Sequence, residues 1–123
     1  GIEQIKKLPA RVIRKKQIKK LYQSLLNEKN GIRLIKQDLD HTTPWFIDVM
    51  VENRSNLQER LRENKIGSRV MYPPINKQKA YDLKEDHKVS DMIGLKGLWL
   101  PSANQLTDEQ IFRICEVINN FPA

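Results

Sequence analysis

Gly67-Ser-Arg-Val-Met-Tyr-Pro-Pro-Ile-Asn-Lys-Gln-Lys-Ala-Tyr81 contains both the strongest break in the chain and its best-defined loop. The β-type run from Ser68 to Tyr72 stops at two prolines. Their fixed φ and missing N–H end a strand ladder, and they are expected to hold Ile75-Asn76-Lys77-Gln78 in an extended course. Stiff polar loops at a sheet edge commonly meet ligands, although an ordinary surface connection has the same local composition.

The chain has 123 residues, 39% of them apolar and 30% charged. That is one domain's worth, with one modest core. No apolar run approaches the length of a membrane span, and no signal-peptide pattern opens the sequence. The lone Cys115 cannot form an internal disulfide, which fits a reducing, cytoplasmic setting. Its place among helical apolar positions reads as a buried core thiol.

The net charge of +7 is concentrated at one end. Residues 1–30 hold nine Lys/Arg against Glu3 and Glu28, whereas residues 31–123 hold thirteen of each sign. The basic excess therefore belongs to one segment. Apolar residues from Ile2 to Leu26 recur at helical steps, interrupted by Pro9. A main helix is expected at about 10–28, after a short turn or helix over Ile2 to Leu8, with Asn30-Gly31 as its left-handed stop. Its polar face, Arg11, Arg14, Lys15, Lys16, Lys19 and Lys20, reads as solvated or as covered by another segment. No aromatic platform or nucleic-acid motif accompanies it, so nucleic acid is not an expected partner.

Ile32 to Lys36 alternates like a short half-buried strand, and Trp45 to Glu52 reads as a stronger, central one. Ser55-Asn56-Leu57-Gln58 has the spacing of a capping box, opening a helix to about Asn64 with Leu57 and Leu61 inward. Gly67 is expected to turn the chain into the third strand. Val89 to Lys96 suits a short helix burying Val89, Met92 and Ile93, ended by Gly97. Leu98 to Leu100 suits a strand stopped by Pro101. Thr107-Asp108-Glu109-Gln110 is a second capping box, before a helix with Ile111, Ile114, Cys115 and Ile118 on one face. The fold class is α+β: two layers, a small, mainly antiparallel sheet with helices on one face. Its open face is a docking candidate.

Local chemistry is sparse. His41 and His87 are far apart and Cys115 lies in a helix, so no metal-ligand spacing is present. There is no nucleophile elbow and no glycine-rich phosphate loop. His41 reads as a surface residue. Trp45 reads as a core aromatic at a strand's start, with stacking on a sugar or base as its functional alternative.

The run Arg60 to Tyr81, the segment Gly97-Leu-Trp-Leu-Pro-Ser102 followed by Leu106-Thr-Asp-Glu-Gln-Ile111, and the opening Gly1-Ile-Glu-Gln-Ile-Lys-Lys-Leu8 resemble, in order and spacing, the C-terminal part of the DegT/StrS-like sugar aminotransferases. The resemblance spans nearly the whole chain. It implies the small C-terminal domain of a fold-type I, pyridoxal-phosphate-dependent enzyme acting on nucleotide-linked keto sugars. Residues 1–30 would be the end of a connecting segment with its basic helix, and 31–123 the small domain. The Schiff-base lysine, the acid facing the pyridine nitrogen and most phosphate contacts would lie upstream, in a large domain. This chain alone is then expected to be inactive and to bind no cofactor, the whole enzyme being a homodimer with an amino-acid donor, glutamate being the expected one.

Trp45, Arg69, Tyr72, Asn76 and Lys77 would contact substrate; catalytic, cofactor and metal residues cannot be assigned. Arg69 and Tyr72 match positions that approach the sugar nucleotide, where a guanidinium fork suits a diphosphate. Asn76 stands where the family commonly has His and cannot carry a proton at neutral pH. Two alternatives remain open: a stand-alone binding module whose basic helix meets nucleic acid or another acidic partner, and a dehydratase or regulatory protein of the same family.

Overall fold

Period-two alternation in Ile47–Val51 sends Ile47, Val49 and Val51 to one side of a strand and Asp48 and Met50 to the other. The structure, a computed structural model, describes residues 1–81 and 83–122. Its elements are α1 (Ile2–Lys6), α2 (Leu8–Leu25), β1 (Ile32–Leu34), β2 (Ile47–Val51), α3 (Arg54–Glu63), β3 (Arg69–Val70), a 3-10 turn (Ile75–Lys77), α4 (Lys88–Lys96), β4 (Gly97–Leu100) and α5 (Asp108–Asn119). The four strands form one antiparallel sheet in the order β1-β2-β4-β3, so β2 is central, as its apolar run implies.

Register decides the two faces. Ile32 pairs with Val51, Leu34 with Val49, Val49 with Leu98 and Ile47 with Leu100. These residues share one core with Ile18 and Tyr22 of α2, Leu57 and Leu61 of α3, and Ile111, Ile114, Cys115 and Ile118 of α5. Burying each large aliphatic side chain contributes about 1.5–3 kcal/mol. That sum anchors α5 firmly. By contrast α4 buries no residue: Val89 is 67% and Met92 41% exposed, against the expectation that both would be inside. The helix forms from its periodicity, but it lies beside the 3-10 turn instead of over the core.

The basic face of α2 is not simply solvated. Lys15 Nζ donates to the carbonyls of Trp45 (2.9 Å) and Ser102 (2.6 Å), and Lys19 Nζ to that of Ile35 (2.8 Å). Arg14 donates to Leu106 O and pairs with Asp108 at 2.8 Å. Lys19 is fully buried. Burial holds both lysines below the usual amine range, with Asp48 partly restoring Lys19. Three of the six cations on this face are therefore structural donors. They were missed because helical spacing shows a polar face but not which carbonyls lie opposite.

Boundaries moved for identifiable reasons. Helix α2 begins at Leu8 with Pro9 inside its first turn, where the absent N–H costs nothing, and stops at Leu25 because Leu26 is extended. Asn30 and Gly31 do adopt positive φ, 57° and 73°, but they turn the chain into β1 and do not cap the helix. The left-handed residue after α3 is Lys65, φ 60°. Beyond Pro73 and Pro74 the chain coils into the 3-10 turn instead of staying extended. Asn76 is buried there, its Nδ2 donating to Glu85 O and Asp91 Oδ1, both at 3.0 Å. Gly94 of α4 presses on the same turn: a Cβ there would lie 2.5 Å from Pro74 Cδ.

The two capping boxes separate cleanly. Thr107 caps α5 with both reciprocal bonds present, whereas α3 starts at Arg54 behind Asn53, leaving Ser55 within the first turn without a capping bond. Thr107→Ala is expected to cost about 1 kcal/mol and Ser55→Ala less than about 0.5 kcal/mol in chemical denaturation; equal losses would contradict this assignment. Asn76→Ala is expected to lower stability by about 1–3 kcal/mol, by leaving Glu85 O and Asp91 short of a donor. That bond is the leading cause holding the Asp91 carboxyl below its ordinary range. Its stabilisation is present above about pH 4 and is lost as pH falls through the lowered folded value. Carboxyl NMR titration should therefore move Asp91 upward in the variant.

Candidate functional site

Alternation gives the second sheet face a different character from the core face. Asp48, Trp99 and Arg69 pair in one row across β2, β4 and β3. Phe46, just before β2, stacks on Trp99 with centroids 4.1 Å apart and planes 14° from parallel. Tyr72, just after β3, meets Trp99 edge-on at 5.0 Å, and Trp45 meets Phe46 edge-on at 6.3 Å. The Arg69 guanidinium lies 5.2 Å from the Tyr72 ring centroid and 6.0 Å from that of Trp99. The result is a continuous aromatic strip with the Arg69 guanidinium at one end and the Lys15 amine over Trp45 at the other, and such ring and cation geometries are each favourable by a fraction of a kcal/mol to about 1.5 kcal/mol.

Three of the residues singled out from the sequence, Trp45, Arg69 and Tyr72, thus come together on this strip. Trp45 is not a core aromatic: it is 75% exposed. Phe46 and Trp99 join the others, and neither was singled out. The available signal was the alternation in Leu98-Trp99-Leu100, which puts Trp99 opposite the core.

Asn76 and Lys77 point their bonds elsewhere. Lys77 Nζ pairs with Asp86 at 2.8 Å, and Asp91 lies at 3.7 Å, which raises the amine above its ordinary range with Asp86 as the leading cause. Both residues tie the 3-10 turn to the segment leading into α4. Tyr72, Pro73, Pro74, Asn76, His87 and Gly94 help to line an open hollow of about 690 Å³ between that turn and α4. Tyr72 belongs to both hollow and strip.

A pyridoxal phosphate site needs a lysine amine free to meet the aldehyde carbon. No lysine lines the hollow, and the inward-drawn Lys15 and Lys19 give their amines to backbone carbonyls. The side chains of this hollow and strip do not fit that group, and no step is assigned to it on this chain. Among the described residues no cluster of three or more His, Cys, Asp or Glu has metal-binding geometry. His41 is an exposed loop residue bonded to Asp38, and Cys115 is a buried thiol pushed up to about 12 by desolvation. No helix among the described residues is long and apolar enough to cross a membrane.

Comparison with known proteins agrees with this architecture. The chain is 28% identical over 125 residues to the GDP-perosamine synthase of Escherichia coli O157:H7, covering 98% of this chain and 34% of that protein. Among solved structures, the aminotransferase TlmJ from Streptoalloteichus hindustanus superposes with a TM-score of 0.88 at 22% identity, covering 97% of this chain and 34% of its own. The sugar aminotransferase CalS13 from Micromonospora echinospora gives a TM-score of 0.86 at 16% identity, covering 97% and 33%. The chain spans about a third of the length of the relatives it matches. The sequence model of the DegT/DnrJ/EryC1/StrS aminotransferase family matches residues 1–119, and the chain belongs to that family.

Proposed function

We propose that the chain is the small C-terminal domain of a pyridoxal-phosphate-dependent aminotransferase that aminates a keto sugar carried on a nucleoside diphosphate, with an amino acid such as glutamate as donor. The family match over residues 1–119 carries the reaction class. In this reading residues 1–30 end the connection from a large domain and 31–123 form the small one. The large domain supplies the cofactor lysine, the enzyme works as a cytoplasmic homodimer, and the 123-residue chain is inactive alone.

The chain's own share is substrate contact on the open sheet face. Arg69 is exposed, preset by Tyr72 and Trp99, and carries a planar fork of donors suited to diphosphate oxygens. Tyr72 and Trp45 offer rings for the sugar and its carrier. Asn76 and Lys77 serve the same site by fixing the turn that follows Tyr72, through their bonds to Glu85, Asp86 and Asp91.

Titrating pyridoxal phosphate into the 123-residue chain and into a family-length protein containing it tests the division of labour. Only the longer protein should show the Schiff-base absorbance band; a specific, stoichiometric lysine adduct on the short chain overturns it. In the longer protein Arg69→Ala should raise KM for the nucleotide-linked sugar about ten-fold or more, the worth of a charge-assisted hydrogen bond, while leaving KM for the amino donor unchanged. An unchanged sugar KM removes Arg69 as a diphosphate contact.

A further inference from the structure

Trp45 combines two properties that rarely occur together. Its ring is 75% exposed, yet its backbone carbonyl is held by two side-chain hydrogen bonds. Trp45 O accepts from Lys15 Nζ at 2.9 Å and from Ser102 Oγ at 3.2 Å. The same Lys15 amine reaches Ser102 O at 2.6 Å, so α2 ties the entrance of β2 to the exit of β4. Lys15 Nζ also lies 5.8 Å from the Trp45 ring centroid, and Phe46 meets that ring edge-on. Pro44, immediately before, is buried. A mobile surface tryptophan needs none of these restraints. Holding an amphipathic ring rigid and wet lowers the entropy cost when a flat partner covers it.

We propose that Trp45 is a preset stacking platform for the nucleobase of a nucleotide-linked sugar, and that Lys15 and Ser102 are its positioning residues. The proposal rests on the sugar-nucleotide reading above and assigns the part of the substrate that Arg69 does not meet. The strip Trp45-Phe46-Trp99-Tyr72 carries an aromatic ring at one end and the Arg69 guanidinium at the other, matching a ligand with a π-face at one end and a diphosphate beyond it. A purely anionic ligand has no use for Trp45. Asp48 also faces this side, beside Trp99, and disfavours phosphate over the middle of the strip, leaving Arg69 as the anion contact. The Lys15 amine is held by two carbonyls, so its role is to fix the ring, with its charge favouring the ring's electron-rich face.

The chain has two tryptophans, so two indole N–H signals report the strip in an NMR titration. The probes are guanosine diphosphate, uridine diphosphate and inorganic pyrophosphate, added to the 123-residue chain after a cooperative melt shows it folded. Both nucleotides should bind about ten-fold more tightly than pyrophosphate and shift the Trp45 indole signal, the size expected for one base stacked on one aromatic ring. Trp45→Ala and Lys15→Met should abolish that advantage while pyrophosphate affinity stays unchanged; Lys15→Arg should restore it. Because pyrophosphate affinity serves as the internal control, a variant that merely unfolds loses both and is recognised. Equal binding of nucleotides and pyrophosphate overturns the platform and leaves the Arg69 contact standing. Binding of neither overturns both. Concentration-dependent association of the chain that Trp45→Ala abolishes, without any nucleotide advantage, also overturns the platform and assigns Trp45 to a protein interface.

Discussion

The arrangement depends on side-chain donors of one helix meeting backbone carbonyls where the chain leaves the sheet. From α2, Arg14, Lys15, Lys19 and Tyr22 reach the carbonyls of Leu106, Trp45, Ser102, Ile35 and Pro101. These carbonyls lie beyond the ladders, where sheet hydrogen bonding cannot satisfy them. Leaving such a group buried and unpaired costs more than any single pairing gains. A lysine is an expensive donor to bury, and the downward pressure on Lys15 and Lys19 registers that cost. Its long stem nevertheless spans the gap between a helix and a loop that a serine could not cross. At the other end of α2 the roles reverse: Asn119 of α5 donates to Leu25 O and accepts from Asn27 N, closing the frayed terminus.

Much of the fold is written in short-range pattern, and it was legible for that reason. The inward face of α5, Ile111 through Ile118, and its Thr107 box depend only on residues within two turns. The central place of β2 follows from a mostly apolar run, Ile47–Val51, interrupted only by Asp48. The misread features turn either on a small shift of an element's start or on a partner distant in sequence. The Ser/Thr-x-x-Gln spacing that caps α5 at Thr107 is idle at Ser55, because α3 begins one residue earlier, at Arg54, with Asn53 in the N-cap position. The apolar residues of α4 look like a core face until the sheet proves to be filled by three other helices.

The site divides in the same way. Trp45, Arg69 and Tyr72 attract notice by residue type and by likeness to a family, but their joint placement depends on strand register. Asp48, Trp99 and Arg69 form one row only because β4 lies between β2 and β3, an order no local pattern announces. Phe46 and Trp99 passed for ordinary apolar residues, yet they link one end of the strip to the other. The net basic charge was the most conspicuous compositional feature and the least informative about ligands, since several of its cations are consumed inside the fold.

Strand β3 is only two residues long, Arg69 and Val70, and both are exposed. It forms one edge of the sheet, and the opposite edge, β1, is three residues long with an exposed Arg33. Long, flat, uncharged edges invite strands from other molecules to continue the ladder. Here each margin offers too few free amides to seed a growing ladder and presents a guanidinium to any approaching copy. Beyond β3, Pro73 and Pro74 withhold two further donors. The brevity that makes this strand so inconspicuous therefore also works against edge-to-edge association, and it leaves the outer side of Arg69 without a second neighbouring strand.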